Sequence, residues 1–247
     1  MPSSVMRKVE GDERTSPQDD RRNGRCLAKA RERSENGAVK MLKVALTGNV
    51  ASGKSSVVRC WRELGAVVVE SDDLARRAVA PGSTTLETIV ERWGPGILLE
   101  SGELDRAAMR DVVFLNAEER RALEAIIHPE VERLRTAAFD DAARSGAELV
   151  VADIPLLFEV GLEGEFDLVV LVDAPEDVRR ERLVRDRGLP VGTAQRMVDS
   201  QWPTERKRQG VDILIENTGS LAELEGRAKE VWSELRLRAK ASSGRHS

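Results

Sequence analysis

The sequence predicts an α/β fold, a five-stranded parallel sheet with helices on both faces, and three observations predict it. Short apolar runs recur along the chain, several of them continuous rather than alternating, as strands covered on both faces are. Helix-competent stretches separate these runs, so successive strands are joined by crossovers and run parallel. The first run, Leu42-Lys43-Val44-Ala45-Leu46-Thr47, leads directly into Gly48-Asn49-Val50-Ala51-Ser52-Gly53-Lys54-Ser55, a G-x-x-x-x-G-K-S loop that opens a helix.

Residues 1–40 differ in kind from the rest of the chain. They are rich in Arg, Glu, Asp, Ser and Gly and show no periodic apolar pattern. Such a segment buries too little surface to offset its ordering entropy, so it reads as a disordered extension, with Met41 the start of the domain or of translation itself. Its acids and bases are interleaved, which weakens a reading as an RNA-binding arm. The first strand and the loop come next, then a helix over Lys54–Leu64. Val67-Val68-Val69 is expected as a short buried strand, followed by Glu70-Ser71-Asp72-Asp73. Helical patterns cover 83–92 and 117–143, where Pro129 marks a helix start or a kink. The stretch 74–146 is too long for a simple crossover and reads as a helical insertion. Strands are expected at 148–152, 168–172 and 211–215. An arginine-dense insertion over 176–207 reads as a lid, and 241–247 as a disordered tail.

The loop carries the chemistry. Gly48 permits a sharp exit from the strand, and Gly53 lets the backbone approach an anion. Successive N–H groups and the positive end of the following helix would then cradle phosphates. Lys54 would reach the β- and γ-phosphates and the Ser55 hydroxyl would ligate Mg²⁺. This strand–loop–helix context places the chain in the P-loop NTPase fold. Phosphoryl transfer also needs cations on the developing charge and a carboxylate near the nucleophile. Asp72 and Asp73 stand at the carboxyl edge of the sheet, where ligands bind in open α/β folds, but spacing alone reads them equally as helix caps. Asp153 reads either as a second metal-side acid or as a turn residue before Pro155. Of Arg179, Arg180, Arg182, Arg185, Arg187, Arg196, Arg206 and Arg208, most read as a solvated face and at most two as functional.

Composition narrows the classes. The chain has 247 residues, 40% hydrophobic and 33% charged, with a net charge of −4. That balance suits a globular protein with no basic field to recruit nucleic acid or anionic membrane. No apolar run reaches the roughly 18 residues of a membrane span. Cys26 and Cys60 have no Cys/His cluster around them, which suggests a reducing compartment and the cytoplasm. A GTPase switch would want N-K-x-D after a late strand and D-x-x-G after the third. The chain reads Asn217-Thr218-Gly219-Ser220 and Asp153-Ile154-Pro155-Leu156 instead. Another small-molecule kinase, such as a nucleoside monophosphate kinase, stays open on these grounds.

Several separated motifs resemble the dephospho-coenzyme A kinase family over about residues 41–237. They are the loop through Ser55, Glu70-Ser71-Asp72-Asp73-Leu74-Ala75-Arg76, Pro81-Gly82, Leu104-Asp105-Arg106, Phe114 and His128-Pro129. Pro155-Leu156-Leu157-Phe158-Glu159, Arg185-Asp186, Arg196, Gln201 and Ile215-Glu216-Asn217-Thr218-Gly219 complete the set. The chain departs from the usual family loop in carrying Asn49, Val50 and Ala51 for Gly, Ile and Gly, and Glu70 replaces a first Asp. The resemblance implies transfer of a phosphoryl group from ATP, with Mg²⁺, to the ribose 3′-hydroxyl of dephospho-coenzyme A. It implies Asp72, Lys54 and Arg185 as catalytic residues. Gly48, Ala51, Ser52, Gly53, Lys54, Ser55, Ser56 and Asn217 would hold the nucleotide. Asp72, Arg76, Arg106, His128, Pro155 and Leu156 would hold the acceptor, although a lone His before Pro is more often a packing residue. The expected partner is this small molecule alone, with neither nucleic acid nor membrane, in a monomer or weak homo-oligomer.

Overall fold

The structure is a computed structural model that describes residues 41–114 and 116–243, for Ser243 the backbone alone; the extension expected over 1–40 lies outside the described residues. Five strands, β1 (Leu42–Gly48), β2 (Val67–Glu70), β3 (Leu149–Asp153), β4 (Leu168–Asp173) and β5 (Ile213–Glu216), form one sheet in the order β2-β3-β1-β4-β5. Every pairing is parallel, with Leu46 opposite Asp153 on one side of β1 and opposite Val170 on the other. The chain thus leaves β1 with β3 on one flank and β4 on the other, and a crevice opens at its carboxyl end. β2 to β5 end on Glu70, Asp153, Asp173 and Glu216, so acids ring that edge.

Why the strands read as continuous apolar runs is visible in their alternation. Leu42, Val44 and Leu46 of β1 face one core, together with Val57 and Trp61 of helix α1 (Lys54–Glu63) and Val231, Trp232 and Leu235 of the terminal helix. Met41 and Ala45 face the opposite core, with Phe139 and Ala142. Both faces are covered, so both sets of side chains are apolar. Trp61 is fully buried, its ring 5.8 Å from that of Trp232, and its indole N–H donates to Ala228 O at 2.8 Å. β2 departs from the expected buried strand. It stands at the sheet edge and pairs only with β3, so Val67 is exposed, Val68 half-buried and only Val69 buried.

The crossover from β2 to β3 holds α2 (Ser71–Ala78), α3 (Thr84–Trp93), α4 (Arg106–Phe114) and α5 (Ala117–Arg144). It has a core of its own around Val79, Ile89, Ile97 and Met109. The C-terminal half of α5 packs instead on the sheet through Phe139, so one helix carries the insertion. Of the two readings of Pro129, a helix start or a kink, the helix start is corrected. α5 runs unbroken through it, because its N-terminus is set at Asn116, whose side chain accepts from the N–H groups of Glu118 and Glu119. Beyond β4 come α6 (Glu176–Arg187), α7 (Val191–Asp199) and α8 (Thr204–Arg208), and after β5 comes α9 (Leu221–Ser243). α9 opens on a reciprocal cap between Ser220 and Glu223 and reaches Ser243, so residues 241–243 are helical rather than part of a disordered tail. Among the described residues no helix is long and apolar enough to cross a membrane.

Candidate active site

The phosphate loop leaves β1 at Gly48, where a Cβ would lie 2.6 Å from Val172 O. Only glycine lets the loop pass this close to β4. Asn49 O accepts from Ser52 N at 3.1 Å, closing a turn. Gly53, with φ 98°, then caps α1 with no side chain, and a Cβ there would strike Asn217 Nδ2. The first-turn N–H groups of α1, at Lys54 and Ser55, therefore receive no side-chain cap, which is the arrangement that takes an anion. Ser55 is exposed, Ser56 half-buried.

Among described non-glycine residues only Ala51 has a positive φ, 59°. This is the conformational consequence of alanine where glycine is usual, and the left-handed region costs a Cβ about 1 kcal/mol. Ala51→Gly is expected to raise stability by about 1 kcal/mol, a rise in Tm of about 2–4 °C for a chain of this size. Thermal unfolding checks it. A fall in Tm would mean that the Ala51 methyl, which packs with Val50 against Leu183 of α6 and Ala194 and Val198 of α7, outweighs the strain.

Lys54 donates to the carboxylate of Asp153, the last residue of β3, and both side chains are nearly buried. Asp153 is therefore the partner of the loop lysine rather than a turn residue. Burial pushes its carboxyl above the usual range, Lys54 pulls it down, and the charges of Glu70 and Asp72 push it up again. Lys54, Asp153, Asp72 and Glu70 thus share one field at the carboxyl edge of β1, β3 and β2. Neither Asp72 nor Asp73 caps α2. The N-cap is Glu70, without a side-chain cap bond, and the two aspartates lie exposed in the first turn. Glu70 is engaged by Arg62.

Three side chains from distant segments brace the loop. Asn217 Nδ2 donates to Ser52 O at 2.8 Å, so this buried residue supports the loop backbone. Gln201 Oε1 accepts from Val50 N at 2.7 Å. Arg182 donates to Ala51 O and to both oxygens of Asn217, each at 3.3 Å. Arg185, implied by resemblance, is not brought to the loop. It is exposed, with its guanidinium on Asp186 and Glu181, because it lies nearly a turn further along α6 than Arg182. Arg179 departs from the solvated-face expectation in another way, being 4% exposed with Nε donating to Ala174 O. Arg182→Ala is accordingly expected to lower kcat at least about tenfold and Arg185→Ala less than twofold, whereas Arg179→Ala costs stability, about 1–3 kcal/mol. Steady-state kinetics and thermal melts of the three variants separate these outcomes. Nothing in the spacing of the arginine run distinguishes Arg182, since what selects it is the distant Asn217.

The expected acceptor residues are more scattered. Thr47 Oγ1 donates to Pro155 O at 3.2 Å, which ties the turn after β3 to the end of β1, and Leu156 stands 45% exposed beside it. Arg76 of α2, Arg106 at the start of α4 and His128 on α5 are exposed on the insertion. A cleft of about 580 Å³ lies at the carboxyl ends of β4 and β5, lined by Asp173, Arg179, Gln201, Trp202 and Arg208 among others. The thiol of Cys60 is buried in α1 and pushed up by that burial, which leaves it inert; Cys26 lies outside the described residues.

The family model for dephospho-CoA kinase matches residues 42–223. A dephospho-CoA kinase from Thermobifida fusca is 40% identical over 198 residues, covering 80% of this chain and 98% of the relative. One from Geobacillus kaustophilus is 42% identical over 182 residues, covering 74% and 90%. A solved structure from Thermus thermophilus superposes with a TM-score of 0.67 at 38% identity, over 79% of this chain and 98% of that one. A dephospho-CoA kinase structure from Campylobacter jejuni gives a TM-score of 0.62 at 25% identity, over 78% and 96%.

Proposed function

Because this chain belongs to the dephospho-CoA kinase family, whose members phosphorylate dephospho-CoA to CoA as the last step of CoA synthesis, we propose that its phosphate loop takes ATP and that Asp72 serves the acceptor hydroxyl. The observation that carries the reading is the meeting, at one end of β1, of an uncapped helix N-terminus, Lys54 and the carboxylate of Asp153, with Asp72 in the first turn of α2 after the neighbouring β2. Phosphoryl transfer asks a protein mainly for positioning and for charge opposite the phosphoryl oxygens.

Each residue then has a task. The N–H groups of the loop hold the phosphates. Lys54 exchanges Asp153 for the β- and γ-phosphate oxygens. Ser55 Oγ and the Asp153 carboxylate offer two oxygens, a number that suits Mg²⁺ when phosphates and waters complete its shell. The ion, when bound, neutralises charge on the transferring group. Arg182 keeps the loop in shape, and Asp72 orients the ribose 3′-hydroxyl and takes its proton. The exposed Arg76, Arg106, His128 and Leu156 stand on the insertion and the turn after β3, and we assign them to the acceptor's wall. The reduced, buried Cys60 supports a cytoplasmic site of action.

A coupled assay of ADP release tests the reading, with dephospho-CoA, AMP, CMP and shikimate as acceptors, with Mg²⁺ and with excess chelator. Turnover is expected with dephospho-CoA and Mg²⁺ alone. Comparable turnover with AMP or CMP would make this a nucleotide kinase, and full activity in chelator would remove the metal.

A further inference from the structure

The phosphate loop is held from outside by the segment that returns from the lid. Gln201 accepts from Val50 N, and Asn49 Nδ2 donates to Trp202 O at 3.2 Å and to Thr204 Oγ1 at 3.3 Å. This segment is anchored in turn. Trp202 N donates to Glu159 Oε1 at 3.1 Å, and the same oxygen lies 2.7 Å from Lys207 Nζ. Lys207 is 0% exposed, an unusual place for an ammonium. Glu159 closes the turn after β3, and that turn returns to β1 through Thr47 and Pro155 O. The polar contacts therefore form a circuit running from the loop to Trp202, Glu159, the turn and back to the root of the loop.

A buried ion pair is a poor device for stability, because desolvation offsets most of the attraction and an apolar pair of the same volume does as well. What it supplies is direction. The surroundings are already well packed. Phe158 and Trp202 share a core, and a Cβ on Gly210 would lie 2.7 Å from the Phe158 ring. Packing alone would hold α8 against the turn but would leave the Trp202 backbone free to slide. We propose that Glu159, clamped by Lys207, is a positioning residue for phosphoryl transfer: its carboxylate fixes Trp202, and through Gln201 and Asn49 fixes the geometry of the phosphate loop. A misplacement of about 1 Å costs on the order of a hundredfold in rate, so a support outside the nucleotide site acts on kcat.

The inference rests on the reading that the loop holds the phosphates of ATP, and Lys54→Ala in the same assay guards that reading. The test is the apolar pair Glu159→Leu with Lys207→Met, which leaves no buried charge unpaired, beside Gln201→Leu, which removes only the acceptor for Val50 N at a partly exposed position. Expected for each is a fall in kcat of at least about tenfold, a Kd for ATP within threefold of the parent and a Tm within about 5 °C. All three substitutions together are expected to cost no more than the larger single effect, since they act through one segment. A folded protein carrying Glu159→Leu and Lys207→Met with parental kcat overturns the proposal, and so do additive effects in the combined variant. Should the apolar pair fail to fold, Gln201→Leu decides alone, and a parental kcat for it overturns the proposal. A Lys54→Ala enzyme with parental kcat would instead bring down the reading of the loop itself.

Discussion

Lys54→Ala is expected to lower kcat by about 10²–10³-fold, the usual loss when one preorganised charge is taken from a transition state. It should also cost stability at neutral pH, about 2 kcal/mol, for a reason separate from catalysis. In the folded protein Lys54 is the partner of Asp153, and both are nearly buried. Without the ammonium, every remaining influence on Asp153 is of one sign: burial, Glu70 and Asp72 all push its carboxyl upward. A group whose folded pKa lies above its unfolded value favours folding below that range and opposes it as pH rises through the folded pKa. The deficit of Lys54→Ala should therefore be largest at neutral pH and narrow as pH falls through the raised pKa of Asp153. Adding Asp153→Asn removes the unpaired charge, so the double variant should regain stability at neutral pH and regain no activity. Urea unfolding at several pH values, with kcat measured in parallel, checks both halves. A double variant that recovers turnover would mean that Lys54 serves only to neutralise Asp153.

The degree to which the site can be read from sequence depends on how local each feature is. The loop is legible because its requirements are consecutive: a strand, a close approach at Gly48, a positive φ at Gly53 and a helix start at Lys54. The parallel sheet is legible because strands covered on both faces have little choice but to be apolar throughout. β2 reads as buried because its three valines look like those of a central strand, and only the strand order shows it to be an edge. The arginines of α6 are illegible for the same reason. Arg179, Arg182 and Arg185 are alike in spacing and composition, and their fates are set by Ala174, by Asn217 with Ala51, and by Asp186 with Glu181. As a helix start Pro129 misleads, because a local rule meets a helix held at both ends by tertiary cores.

Asp72→Asn is expected to retain ATP binding and lower kcat at least about a hundredfold, while Asp73→Asn leaves kcat within twofold and costs about 1 kcal/mol or less. The two carboxylates are adjacent in the first turn of α2, so their side chains diverge by about 100° and cannot serve one hydroxyl together. Both are exposed and neither caps the helix, which leaves the dipole of α2 as their shared structural use. Their surroundings differ. Asp72 contributes to the field that raises Asp153, beside Lys54, whereas Asp73 is absent from that set. Asp72 is therefore the acid we assign to the acceptor hydroxyl. A carboxylate there takes the proton only as the bond to phosphorus forms and the hydroxyl acidifies. Steady-state kinetics and ATP affinity for both variants decide between the two residues. An inactive Asp73→Asn beside an active Asp72→Asn would mean that α2 presents the other face of its first turn to the acceptor, and the assignment of Asp72 would fall with it.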